Sequence, residues 1–271
     1  MRVIVSLTST FERSHMLFYG IQSILKQSVK PDLILINLSK DSYLSDIGFK
    51  AIPDWLINPN IKINIVENTG SYRKLLPALE FADDKDLIVT ADDDILYATN
   101  WLKNLLKFST SEPDSIVCCR ARLMKKNIIR NWQNYTKWDL INEKMKGNNI
   151  LPTGGAGAVY KKKLLDVDFL SDHMFLEIAP TTDDLWFRMA SLRMNTPVAV
   201  FPEIGYQNIY LLHRLGLEQE NILKPKNASV SFYFPFYKKW MKFLDYIGKN
   251  QSKNDFAWAS ICKYSQSVQG K

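Results

Sequence analysis

Five apolar runs separated by helical segments constrain this chain more than any other feature. They are VIVSL (3–7), LILINL (33–38), IKINIV (61–66), DLIVTA (86–91) and SIVCC (115–119). Each is short, mostly aliphatic and bounded by polar residues, as strands buried on both faces are. Between them, Leu17, Gly20, Ile21, Ile24 and Leu25 recur at helical spacing over 15–26. RKLLPALEFA (73–82) suits a short helix with Pro77 in its first turn or at a kink. Thr99 or Asn100 is placed to cap the helix WLKNLLKF. Strands alternating with helices predict right-handed βαβ units and a mainly parallel α/β sheet flanked by helices.

The pattern loosens after residue 120. Residues 120–150, rich in Arg, Trp, Asn and Lys, read as irregular or edge structure. TGGAGAVY (153–160) is a glycine-rich loop entering a strand, Thr182 is placed to cap a helix over 183–195, and PVAVF follows as a strand. A length of 271 residues suffices for one large core, and 46% hydrophobic content argues against disorder. No run of 18 apolar residues exists, so no membrane-spanning helix is expected. The opening MRVIVSLTSTFER lacks the long apolar stretch of a secretory leader and reads as the first strand. Cys118, Cys119 and Cys262 are too few, and wrongly spaced, for a disulfide framework or a zinc knuckle, which fits a reducing, cytoplasmic setting.

The net charge of +7 is confined. Residues 224–271 hold nine lysines against Asp245 and Asp255, which is the whole excess; residues 1–223 carry equal numbers of basic and acidic groups. The expected organisation is a catalytic domain over 1–223 and a basic helical extension over 224–271. In PFYKKWMKFLDYIGKN, Phe236, Trp240, Phe243, Leu244 and Ile247 share one helical face and lysines occupy the rest. Such a helix over 235–249 either packs on the body or lies on an anionic membrane surface. The confinement of charge argues against a broad nucleic-acid-binding face.

Chemistry concentrates in LIVTADDDILY. Three adjacent carboxylates repel, by about 4 kcal/mol for a pair 4 Å apart near a protein surface. They follow a strand, at the edge where open parallel sheets bind ligands. In an extended segment Asp92 and Asp94 point the same way. A hard divalent cation, Mg²⁺ or Mn²⁺, would relieve the repulsion through its preference for oxygen ligands. A solvated acidic loop is the other reading.

The chain resembles the GT-A glycosyltransferases, bacterial nucleotide-sugar-dependent enzymes of the family 2 kind. The resemblance rests on VIVSLTSTFERSHMLFYGIQSILKQSVKPDLILINLS, GSYRKLLPAL, LIVTADDDILYATNWL, GGAGAVY and TTDDLWFRMA, in that order. It implies a GT-A (Rossmann-like) fold and Mn²⁺- or Mg²⁺-dependent transfer of a sugar from a nucleotide-diphosphate sugar. By family habit the donor is a UDP-sugar and the course inverting. The implied acceptor is a saccharide, free or lipid-linked, of a bacterial surface polysaccharide or lipopolysaccharide. Ser6, Thr8 and Arg13 would line the nucleotide pocket, and Asp41 or Ser39 would face the base. Asp94 would ligate the metal, with Asp92 near the ribose or the metal; Asp93 is the least explained of the three. Lys74 would touch the nucleotide or its phosphates, or else is a solvated lysine.

The same resemblance makes Asp183–Asp184 a general-base site, where a carboxylate takes the acceptor hydroxyl's proton. Asp184 is the first choice and Asp183 the second, because the family's commoner Glu-Asp reads Asp-Asp here. Simple N-terminal capping is the alternative. Gly154, Gly155 and Gly157 border the acceptor or make a tight turn. Trp186 stacks on a sugar or belongs to the core. Glu177 is a further acceptor candidate, and His213 a late metal ligand or a structural histidine. Two other functions stand against this one. A sugar-nucleotide nucleotidyltransferase wants a glycine-rich phosphate loop, which SLTSTFERS lacks. A non-enzymatic basic binding protein would rest on the tail alone.

Overall fold

The computed structural model describes residues 1–211, Tyr246 and 252–268. His213 and, apart from Tyr246, the whole of 235–249 lie outside the described residues. In chain order the strands and helices begin with β1 (Val3–Thr8), α1 (Ser14–Leu25), β2 (Leu33–Leu38), β3 (Ile61–Ile65), α2 (Leu76–Phe81) and β4 (Leu87–Thr90). Next come β5 (Ile95–Leu96), α3 (Trp101–Ser111), β6 (Ile116–Cys118), β7 (Ala121–Leu123), β8 (Met145–Gly147), β9 (Ile150–Pro152) and β10 (Ala158–Tyr160). The remainder are α4 (Val167–Ser171), α5 (Phe175–Ile178), α6 (Asp183–Arg193), β11 (Val198–Val200), β12 (Ile209–Tyr210) and α7 (Lys253–Val268).

Eight strands form the central sheet in the order β3-β2-β1-β4-β10-β6-β11-β8. All five predicted strands of the first half are present, and β3, β2, β1 and β4 pair in parallel. The glycine-loop strand β10 runs antiparallel between β4 and β6, and β8 closes the edge antiparallel to β11. Helices cover both faces. Val5, Leu17, Ile21 and Trp101 belong to the core under α1 and α3. Tyr72, Leu75, Phe169 and Trp186 belong to the core under α2 and α4–α7. The result is the mainly parallel, three-layer α/β fold of the GT-A kind. No described helix is long and apolar enough to cross a membrane.

Two expectations change here. Ser6 has no exposed surface: it lies within β1, two residues short of the strand end, and accepts a hydrogen bond from Asn37 Nδ2 at 3.0 Å. It therefore belongs to a buried polar ladder continued by Asn64 on β3, not to an open pocket. Trp186 is likewise fully buried, stacked on Phe169 at 4.1 Å and on Tyr264 at 6.0 Å. It is a core residue because α7 lies over that face of α6. α7 falls within the helical extension expected over 224–271, C-terminal to the amphipathic segment 235–249. Its start is tied by Ser252 and Asp255, whose side chains and amides exchange hydrogen bonds in the manner of a capping box.

Candidate active site

β1 and β4 end side by side, and Ala91 N donates to Ser6 O at 2.9 Å. The acidic triplet therefore emerges at the carboxyl edge of the sheet, against the turn that carries Ser9 and Arg13. Its three carboxylates have different surroundings. Asp93 is buried, held by the Ser9 hydroxyl and the Arg13 guanidinium. Burial pushes its carboxyl up to about 6, against the pull of Arg13. Asp92 and Asp94 stay partly exposed. Arg13 also donates to Asp94 at 2.9 Å, and Lys74 donates to Asp92 at 3.2 Å. Asp93 and Asp94 lie in a turn rather than in an extended segment, with Asp93 buried between the partly exposed Asp92 and Asp94. This loop is not a merely solvated run. Gly20 of α1 lies against it, where a Cβ would come within 3.2 Å of Asp93 O, and β12 zips onto β5, with Leu211 N donating to Asp94 O at 2.8 Å.

Tyr97, which the sequence patterns did not single out, pins the triplet to the glycine loop. Its phenol oxygen accepts from Asp92 N at 2.7 Å and donates to Gly155 O at 3.4 Å. Trp101 reinforces the link by packing on Tyr97 and donating from Nε1 to Ala156 O at 2.8 Å. Gly157 makes this packing feasible: its φ is 107°, and a Cβ there would sit 2.6 Å from the Trp101 ring.

Asp183 and Asp184 begin α6, yet their carboxylates turn to other segments rather than to their own helix. Asp183 accepts from the Ser71 hydroxyl at 2.7 Å and pairs with Lys74 at 3.2 Å. Asp184 accepts from Gly154 N at 3.0 Å. Thr182 makes no side-chain cap; its hydroxyl points to Ala179 O at 3.5 Å. Asp184 keeps part of its surface open, while burial and then the adjacent Asp183 push its carboxyl up to about 7, with Lys74 pulling the other way.

Lys74 is the joint between the two acidic sites. It sits in a 3-10 turn, Gly70–Lys74, immediately before α2, and it is buried rather than solvated. Burial opposes its charge, but Asp183, Asp92 and Asp184 outweigh that and hold it well above the ordinary lysine value. The glycine loop closes the gap from the other side. A Cβ on Gly154 would lie 3.1 Å from Asp184 Oδ1 and 3.2 Å from Lys74 Nζ; one on Gly155 would lie 3.1 Å from Asp92 Oδ2. Gly154 and Gly155 are thus in direct contact with both acidic sites.

The neighbouring Arg73 anchors a different loop. It pairs with buried Asp46 at 2.7 Å, which also accepts from Asn68 Nδ2 at 3.0 Å. These contacts hold the segment between Ser39 and Phe49, closed by Phe49 N donating to Ser39 O at 2.8 Å. Ser39 is fully buried beneath it and Asp41 is exposed, so Asp41 is the accessible one of the two base-facing candidates. Thr8 stands half-buried at the end of β1, donating to Asn37 O at 2.7 Å. Glu177 lies exposed on α5. Asp46, Ser71 and Tyr97 were missed, and the adjacent Arg73–Lys74 pair in an otherwise apolar stretch was the signal that two buried acidic partners awaited.

Among the described residues no three His, Cys, Asp or Glu side chains converge to hold a metal ion by themselves. Asp92 and Asp94 supply two partly open, hard carboxylates. That donor set fits a divalent cation whose coordination is completed by phosphate oxygens and water. A separate cleft of about 860 Å³ lies between α2 and α4, lined by Leu76, Leu79 and Leu170 among others, and does not contain these carboxylates.

Known proteins bear on this site in three ways. The model of glycosyl transferase family 2 matches residues 7–169, from β1 through the glycine loop to α4. No curated protein matches the chain. Similar solved structures include S. aureus TarS 1-349, alone and in complex with UDP, each with 16% identity, a TM-score of 0.46 and 75% of this chain covered. The chain spans 58% of the length of that TarS structure. Another is 4-diphosphocytidyl-2C-methyl-D-erythritol synthase, with 11% identity, a TM-score of 0.49 and coverage of 79% of this chain and 94% of the other. With more than half of its length matched by the family model, the chain belongs to glycosyl transferase family 2.

Proposed function

We propose that the chain transfers a sugar, with inversion, from a UDP-sugar to a hydroxyl of a saccharide acceptor of a bacterial surface polysaccharide or lipopolysaccharide, at the cytoplasmic side. The observation that carries this reading is the meeting of Asp92 with Asp183 and Asp184 across the single Lys74 ammonium. A donor-binding acid cluster and a candidate base are thereby held within one site. Asp94 and Asp92 would hold Mn²⁺ or Mg²⁺, which when bound supplies Lewis-acid neutralisation of the diphosphate leaving group.

The chain's own residues do the rest. Arg13, fixed by Asp93, keeps the loop in place and offers a guanidinium beside Asp94 for phosphate oxygens. Asp41, Thr8 and the closed 39–49 loop border the nucleoside. Asp183 is committed to Ser71 and Lys74, which leaves Asp184 as the base. Its carboxyl, raised to about 7, is matched to taking a proton from the acceptor near neutral pH. Gly154 and Gly155 let donor and acceptor approach these carboxylates without a side chain between. The nucleotidyltransferase alternative is weakened by the Ser9–Arg13 turn, which has no glycine and is tied to Asp93.

Calorimetry with UDP and UDP-sugars, with and without Mn²⁺, tests the reading. Metal-dependent binding that Asp94→Ala weakens at least tenfold, together with sugar-nucleotide hydrolysis, is the expected result. Binding of no nucleotide sugar, or binding indifferent to metal, would overturn it.

A further inference from the structure

The balanced body conceals an unbalanced stretch. Residues 120–150 hold eight basic residues against two acids, Asp139 and Glu143. This stretch leaves the sheet after β6 and returns through β9 to the glycine loop, and Thr153 N donates to Arg120 O at 3.0 Å where the two ends meet. At its far end residues 127–131 form a tight turn. Asn127 N donates to Asn131 O at 2.8 Å, Arg130 N to Asn127 O at 2.9 Å, and Asn131 N to Asn127 Oδ1 at 3.0 Å. The turn presents Ile128 and Ile129 to solvent, 87% and 68% exposed. Arg130 follows at φ 64°, a conformation that glycine or asparagine would adopt at less cost.

Packed aromatic rings lie beneath the turn. Lys126 lies with its ammonium 4.5 Å from the Trp132 ring centroid, and Trp132, Trp138 and Trp258 pack edge to face at 5.7–6.0 Å. The phenol of Tyr246 accepts from Ile128 N at 3.4 Å, and Tyr246 itself is 40% exposed. Two adjacent isoleucines are therefore held outward on an ordered turn, flanked by Lys126 and Arg130. A stable protein interface buries about 800 Å² per partner, far more than two side chains on a turn can offer. A narrow aliphatic wedge flanked by cations instead matches an anionic lipid surface, where apolar side chains enter the acyl boundary and cations meet the headgroups.

We propose that the turn 127–131 seats this protein on an anionic bilayer, with Ile128 and Ile129 inserted and Lys126 and Arg130 against the headgroups. The stretch that carries the turn starts and ends beside the glycine loop, so the docking turn and the loop bordering the carboxylate site belong to one segment of the chain. The inserted side chains and their flanking cations belong to the catalytic body, with Tyr246 of the 235–249 segment against the turn.

The test uses the full chain and vesicles of phosphatidylcholine, with and without phosphatidylglycerol, in a flotation assay. Wild type should bind the anionic vesicles, bind neutral ones weakly, and release as salt is raised. The double variant Ile128→Ser/Ile129→Ser should lose roughly tenfold or more in vesicle affinity, with thermal melting unchanged. Lys126→Glu/Arg130→Glu should lose a similar factor through the headgroup contacts. Ile129→Trp gives a direct readout, a blue-shifted emission on anionic vesicles. Equal binding by the isoleucine variant, failure of wild type to bind, or an unshifted emission from an Ile129→Trp variant that still binds would overturn the proposal. So would a lipid-free dimer in analytical ultracentrifugation that the isoleucine variant abolishes, since the turn would then be a contact between copies. No sugar nucleotide enters the assay, so its failure leaves the transferase reading untouched.

Discussion

Asp92–Asp94 and Asp183–Asp184 reach the same place by unlike routes. The triplet continues a central strand and rests against β1 and α1, the most regular part of the fold. The pair begins α6, and it meets the triplet through Lys74 and the glycine loop. Yet each site divides its acids in the same way. One acid is buried and bound to local partners: Asp93 by Ser9 and Arg13, Asp183 by Ser71 and Lys74. The neighbours, Asp92, Asp94 and Asp184, keep open surface. The anchored acid fixes the backbone, and the fixed backbone holds the open acids close despite their repulsion. Like charges at short range thus persist because one member is buried among its partners and the others share the Arg13 and Lys74 cations or a backbone N–H.

The sharpest way to break this comparison is to neutralise an open acid and an anchored one. Asp184→Asn should lower kcat by roughly 10²–10⁴ while UDP binding survives. Asp183→Asn should instead lower the melting temperature, because it strands Ser71 and Lys74. If the two variants lose rate equally with no change in stability, the division of roles fails. Next in size, Lys74→Met removes the shared cation and leaves two acidic sites facing each other. A destabilisation of about 3–5 kcal/mol is expected in urea unfolding, and an effect below about 1 kcal/mol would show the bridge to be incidental.

Smaller effects sharpen the picture. Gly155→Ala places a methyl 3.1 Å from Asp92 and should cost roughly tenfold in kcat/KM, with little change in melting temperature. Gly157→Ala should do the reverse, destabilising the fold through its φ of 107° and its clash with Trp101. The smallest effect is a pH dependence. The carboxyls of Asp184 and Asp93 are raised to about 7 and about 6, so folding takes up protons above the unfolded carboxylate value of about 4. Their contribution to stability is therefore present at low pH and lost as pH climbs toward 7. Asp184→Asn should gain in melting temperature relative to wild type between pH 5 and pH 8, and an unchanged difference would argue against the raised value.

The parallel half of the fold was legible because each strand there is a continuous apolar run, and burial on both faces leaves no other use for such a run. Pro77 at the start of α2 and the helix over α1 followed from the same local rules. β10 was legible as a strand and not in its direction, since an antiparallel insertion depends on which neighbours are free. Trp186 stood beside an acidic pair and looked available to a sugar, but α7 covers it, and the apolar face of α7, with Ala257, Trp258 and Ile261, is narrow enough to pass unnoticed. Ser6 looked like a pocket residue for a similar reason: its distance along the chain from the strand end said nothing about the cover above it.

By itself, then, the sequence determined the sheet's parallel core, the position of the triplet at a strand end, and membership of the family, whose match reaches only to residue 169. Local propensity and apolar period act over a few residues, and they suffice for that much. Only the tertiary structure decided that Asp183 and Asp184 join the triplet, that Lys74 stands between them, and which acid in each group is anchored. Those outcomes depend on burial and on charge contacts between segments about 20 to 110 residues apart, and no local pattern carries that information.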